Sequence, residues 1–196
     1  EDDFHISLHS VNPIVEAKTI SIEKLVNQFV GGRIYSPSFQ RNFRWPIKKQ
    51  RELIDSILLG IPLPSILLIR ANDGDWWLVD GRQRVTSLRR YIKPKNSRNS
   101  FHLGSREGET SMYTNKYFSE LGESVQNRIL STDVPVTYIE GLADHKSAIY
   151  ELFRRYNTGG TNLNGAEIRH AVFHENNVHR ELFKLVGEDI DVSEFS

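Results

Sequence analysis

The run "WWLVDGRQRVTSLRRYI", residues 76–92, restricts the fold more than any other part of the chain. Trp76 to Val79 are apolar, as in a buried strand, whereas beyond Arg82 the apolar residues Val85, Leu88 and Ile92 recur at helical spacing. Asp80 and Gly81 must make the corner between the two. A glycine just ahead of a helix lets backbone N–H groups approach an anion, and the helix dipole adds partial positive charge there, so phosphate is the natural occupant. Arg82 and Arg84 fall in the first turn, where a guanidinium can pair with phosphate. Asp80 is open to three roles: helix cap, Mg²⁺ ligand through a carboxylate oxygen, or orienter of an attacking water. Taken alone, such a corner suits a plain helix cap equally well.

The rest of the chain places this corner in a mixed architecture. "SIEKLVNQF" (21–29) puts Ser21 at an N-cap ahead of an apolar face of Ile22, Leu25, Val26 and Phe29, with Gly31 and Gly32 as the stop. A second helix is predicted over about 47–59, buried through Leu53, Ile54, Ile57 and Leu58 and closed by Gly60. "SILLIR" and "WWLVD" flank the turn signal "ANDGD" and read as a β-hairpin. Residues 93–115 are polar and predict a long mobile insertion. A third strand is expected at 134–141, then a helix at about 144–156 with Ile149, Leu152 and Phe153 on one face. Asn164 and Glu167 are spaced as a capping box for a helix through about His174, and a last helix is expected near 178–186. The fold class is therefore α+β: one domain over 1–196, with a small mixed sheet and helices packed around it.

Composition closes several routes. The chain has no cysteine, which excludes disulfides, thiolate metal sites and cysteine nucleophiles and points to the cytoplasm. No apolar run approaches the roughly 18 residues of a membrane span. Net charge is zero, yet residues 82–98 hold seven Lys or Arg and no acid, while 185–196 hold four acids and no base. The chain opens on Glu1 without a leader pattern, which predicts a fragment of a longer protein.

Two further segments can carry chemistry. In "FQRNFRW" (39–45), Gln40, Arg41 and Arg44 alternate with Phe39, Phe43 and Trp45, a pattern that can stack bases on rings and hold phosphates on arginines. The simpler alternative puts the rings in the core and the arginines in water. In "RRYNTGGTNL" (154–163), Asn157, Thr158, Gly159 and Gly160 form a donor-rich loop able to cradle phosphate, or else a helix stop with a glycine turn. Glu167, His170 and His174 share a helix face but make no HExxH pattern, and no G-x-S-x-G elbow occurs.

Three segments in this order, "FQRNFRWPIKKQRELIDSILLGIPLPSILL", "LVDGRQRVTSLRRY" and "LFRRYNTGGTNLNGAEIRHAVF", resemble the N-terminal domain of the GmrSD-type modification-dependent restriction family, part of the wider ParB/sulfiredoxin-like fold. The resemblance spans about residues 20–175 and implies a nucleotide-dependent DNA-defence module. It implies binding and hydrolysis of a nucleoside triphosphate, GTP, CTP or ATP, with Mg²⁺. Asp80, Gly81, Gln83 and Arg84 match the family's Asp-Gly-Gln-Gln-Arg motif, and Arg82 replaces its first Gln. The resemblance makes Asp80, Gln83 and Arg84 the candidate catalytic residues, with Asp80 also the metal ligand. Gln40, Arg41, Gly81, Arg82, Asn157, Thr158, Gly159 and Gly160 are the candidate nucleotide-binding residues. Modified DNA, a downstream effector or nuclease domain and a homodimer are the partners kept in view. Loss of Arg84 is expected to abolish hydrolysis and leave folding nearly intact. The alternative function is a non-catalytic DNA-recognition module whose footprint is the basic segment 82–98.

Overall fold

The computed structural model describes residues 12–36, 43–104 and 113–142, together with Ala148, Ile149 and Leu152. The chain begins with strand β1 (Ile14–Ser21), helix α1 (Ile22–Val30) and the two-residue strand β2 (Ile34–Tyr35). Helix α2 (Ile47–Leu58) leads into the hairpin β3 (Ile66–Arg70) and β4 (Trp76–Asp80), and β4 feeds directly into helix α3 (Arg82–Ile92). Helix α4 (Glu123–Ser131) and strand β5 (Asp133–Glu140) follow. The five strands form one sheet in the order β1-β5-β3-β4-β2. Pairing is antiparallel between β1 and β5 and between β3 and β4, and parallel between β3 and β5 and between β2 and β4. The α+β class and the mixed sheet are thus as expected.

Local chemistry explains most element ends. The Lys24 N–H donates to the Ser21 hydroxyl at 3.2 Å, capping α1. Gly60 follows α2 with φ +73°, a conformation that glycine adopts without strain. In the hairpin turn the Ala71 N–H donates to the Asp75 carbonyl at 2.9 Å, and the Asp75 N–H to the Asp73 carboxylate at 2.8 Å.

Both faces of the sheet are covered, and the strands alternate between two cores. Ile66, Leu68, Leu78, Val134 and Val136 pack with α1, α2, α3 and Ile129 of α4 on one side. Leu67, Ile69, Val79 and Ile139 pack with Leu142, Ala148, Ile149 and Leu152 on the other. Ala148, Ile149 and Leu152 are helical and buried, as the stripe of the expected 144–156 helix requires; Phe153 lies outside the described residues. So do the expected helices over 164–174 and 178–186.

The described residues of 93–115, which are 93–104 and 113–115, depart from expectation. Phe101 and Leu103 are buried at 3% and 1% exposure, and Phe101 stacks on Tyr91 of α3 with ring centroids 5.1 Å apart. Asn96 caps a short 3₁₀ turn, Ser97–Asn99, and the Leu103 and Lys116 backbones pair at 3.0 Å. Two apolar anchors in a polar stretch are enough to dock its described part on the core. No helix among the described residues is long and apolar enough to cross a membrane.

Candidate functional site

The corner between β4 and α3 is built by a bulge, a left-handed glycine and an arginine clamp. Leu68 pairs with Leu78 and Leu67 with Asp80, so Val79 is an additional β4 residue between the two pairs. Such a bulge re-aims the residue that follows it, here Asp80. Gly81 then takes φ +100°, and a Cβ at this position would stand 2.3 Å from Ile66 Cδ1. Glycine is favoured here, because the backbone angle strains any L side chain and a Cβ would force the Ile66 side chain to shift. Helix α3 starts at Arg82 with no side-chain cap, so the first-turn amides that lack an intrahelical partner lie beside Asp80.

Arg84 is turned back onto the scaffold. Its Nη1 donates to the Pro64 carbonyl, and its Nη2 donates to the Ser65 carbonyl at 3.0 Å and to Asp80 Oδ2 at 3.0 Å. The Arg84 side chain is 11% exposed and that of Asp80 55%. Burial pushes the guanidinium below its ordinary range, and the Asp80 carboxylate opposes that shift. An arginine held this way fixes the β3 entry to α3 and orients one Asp80 oxygen. Its loss would remove hydrogen bonds to three acceptors, all on solvent-exposed residues, and the cost to folding is a matter for measurement.

Gln83 also acts on backbone. Its Oε1 accepts from the N–H groups of Arg44 and Trp45, at 2.9 and 3.1 Å. Gln50 Nε2 donates to the Trp45 carbonyl at 2.8 Å, so the segment ahead of α2 is held from both α2 and α3. This joins two of the three sequence segments in space. Gln40 and Arg41 lie outside the described residues, as do Asn157, Thr158, Gly159 and Gly160. The rings of the same segment are already occupied: Arg90 lies over Phe43 at 4.8 Å, while Trp45 packs on the core under Lys49 at 5.1 Å. Trp45 thus follows the simpler reading, Phe43 is half-buried beneath Arg90, and Phe39 lies outside the described residues.

The basic run 82–98 does not form one solvent face. Arg82 and Arg89 are buried at 6% and 3% exposure, and Arg84 is clamped. Arg90 donates to the Asn99 carbonyl at 3.2 Å, and Lys93 to Asn27 Oδ1 at 2.6 Å. A phosphate-backbone footprint needs its cations outward together. Here the strongest donors point inward. Burial of Arg82 and the backbone latch made by Gln83 carry no signal in composition, since a charge run is ordinarily solvated and an amide reads equally as chemistry.

The family model of the GmrSD restriction endonuclease N-terminal domain matches residues 22–174. The chain belongs to that family. The GmrSD-type match includes β3, the Asp80-Gly81 corner and α3. No curated protein matches the chain. Among solved structures, the chain is similar to a Pnob8-like ParB-N domain in its C2221 form, at 12% identity and TM-score 0.35. That likeness covers 93% of this chain, which spans half the length of the other.

Proposed function

We propose that this GmrSD-type domain binds a Mg²⁺-nucleoside triphosphate at the Gly81 corner and hydrolyses it as the sensor step of a DNA restriction system. The observation that carries the reading is the juxtaposition of an exposed carboxylate, Asp80, with the uncapped N-terminus of α3, held in place by Gly81 and Arg84. First-turn amides supply fixed partial positive charge for phosphate oxygens, and Gly81 keeps side-chain bulk away from them.

Mg²⁺ fits this arrangement only as part of the substrate. Among the described residues no group of three or more His, Asp or Glu side chains converges on a metal position. A single carboxylate with the phosphates as remaining ligands is an ordinary way to hold this ion. Asp80 Oδ2 is engaged by Arg84, which leaves Oδ1 as the ligand oxygen. The ion would neutralise charge on the phosphate oxygens. In the reaction, a water oxygen bonds to the γ-phosphorus and the bond to the bridging oxygen breaks; the diphosphate leaves with the electron pair and the water proton passes to solvent. The protein's share is positioning and electrostatics.

In this reading Arg84 orients Asp80, and Gln83 holds the 44–45 backbone beside the corner. Gln40, Arg41, Arg82 and the Asn157 to Gly160 loop remain the proposed further nucleotide contacts. Modified DNA and an effector domain elsewhere in the full protein are the proposed partners. The DNA-footprint alternative is disfavoured by the inward Arg82, Arg84 and Arg89. Phosphate release from GTP, CTP or ATP with Mg²⁺, lost in Asp80→Asn, supports the reading. Absence of both binding and release with every one of them overturns it.

A further inference from the structure

Gln83 is drawn into this corner by its place in the motif, yet its Oε1 is engaged by the chain's own backbone. One oxygen takes two consecutive backbone donors, Arg44 N–H at 2.9 Å and Trp45 N–H at 3.1 Å. An acceptor shared by adjacent amides fixes both peptide planes at once, and Gln50 fixes the Trp45 carbonyl from the other side at 2.8 Å. The backbone at Arg44 is thereby pinned to the second residue of α3. Its side chain is exposed and, among the described residues, has no ion-pair or hydrogen-bond partner. The contrast with the motif arginine is sharp, because the Arg84 guanidinium is spent on Pro64, Ser65 and Asp80. The residue with an exposed guanidinium whose backbone is held by α3 belongs to the other segment.

We propose that Gln83 is a positioning residue that docks the Arg44–Trp45 backbone beside the Gly81 corner, delivering the Arg44 guanidinium to the phosphates of a bound nucleoside triphosphate. The inference rests on the proposed nucleotide site and assigns its phosphate-binding cation to Arg44. A planar five-donor fork suits phosphate oxygens, and a side chain with no other partner among the described residues gives up no contact with them on binding.

The test is calorimetric titration of the 196-residue chain with GTP, CTP and ATP in Mg²⁺, using wild type, Arg44→Ala, Arg44→Lys, Gln83→Met and the double variant Arg44→Ala/Gln83→Met. Arg44→Ala is expected to weaken binding by roughly tenfold or more without changing the melting temperature, the scale of one charge-assisted hydrogen bond. Arg44→Lys should recover part of the loss. Gln83→Met should weaken binding too, and the double variant should be no weaker than the worse single one, since both act through one guanidinium. Arg44→Ala binding within twofold of wild type, while Asp80→Asn does weaken it, overturns this inference and leaves the nucleotide site standing. Additive losses in the double variant overturn the coupling between the two residues. Wild type that binds none of the three nucleotides overturns both readings together. Should Gln83→Met not fold, Arg44→Ala alone decides the assignment.

Discussion

Arg84 Nη2 lies 3.0 Å from Asp80 Oδ2, four residues apart on the two sides of the β4–α3 corner. The pair by itself contributes little, because more than half of the Asp80 side chain is in water. What matters is that the same guanidinium also satisfies the Pro64 and Ser65 carbonyls. Arg84→Ala should therefore destabilise the fold by about 0.5–1.5 kcal/mol, the net worth of hydrogen bonds whose exposed acceptors water can take over. Arg84→Lys should recover only part, since an ammonium cannot reach three acceptors in fork geometry. Urea denaturation of the two variants checks this; a midpoint equal to wild type for Arg84→Ala would show that the clamp is not structural.

Gly81 makes a second prediction through Ile66. Gly81→Ala meets Ile66 Cδ1 at 2.3 Å and a φ of +100°, and should cost on the order of 1–3 kcal/mol or more. Ile66→Val removes that Cδ1 and alone costs about 0.5–1.5 kcal/mol. On the Gly81→Ala background the same truncation should cost less, because it relieves the clash while the backbone strain remains. Thermal melts of the four proteins measure the coupling; strictly additive losses would contradict the close approach of Gly81 to β3.

Tyr91 predicts a loss of stability at alkaline pH. Burial, with the negative charges of Asp55 and Glu120 adding to it, pushes its phenol well above the ordinary 10.0. In the unfolded chain Tyr91 loses its proton near pH 10 while the folded chain keeps it, so the folded state binds more protons there and stability falls as pH rises beyond about 10. Below that pH the contribution is fully present. Tyr138, raised by burial, acts in the same direction. Tyr91→Phe should flatten the decline above pH 10 and leave stability at pH 7 nearly unchanged, since its hydroxyl makes only a 3.5 Å contact with the Lys116 carbonyl. Denaturant midpoints measured from pH 7 to 11 decide this.

How much of this was readable from sequence follows from what each element displays. Helices α1, α2 and α3 and the hairpin each carry an apolar period and punctuation by Ser21, Gly60, Gly74 or Gly81, and all were legible. Strand β1 was not, because it lies on an edge with six of its eight residues exposed, and no alternation of apolar and polar residues survives there. Helix α4 buries only Ile129, too little for a stripe. Residues 93–104 read as loose by composition, and only Phe101 and Leu103 hold them down. At the site, the strand-Asp-Gly-helix corner was legible from residue types alone. The inward turn of Arg84 and the latch from Gln83 were not, since both depend on which backbone groups a distant segment brings near.

Phe101→Ala tests the docking of that segment directly. A buried aromatic stacked on Tyr91 should cost about 3–5 kcal/mol on truncation, and Leu103→Ala about 2–5 kcal/mol. Losses below about 0.5 kcal/mol in denaturant titrations would return these residues to a loosely held loop.

The nucleotide site is tested most directly by titrating wild type and Asp80→Asn with GTP, CTP and ATP, each with Mg²⁺ and with the metal chelated. Asp80→Asn keeps the size of the side chain and removes the charge that would hold the ion. The account predicts saturable binding of at least one nucleotide by wild type, at least tenfold tighter with Mg²⁺, and a variant whose affinity is the same with and without it. Wild type that binds none of them, or a variant that keeps the full Mg²⁺ dependence, would contradict it.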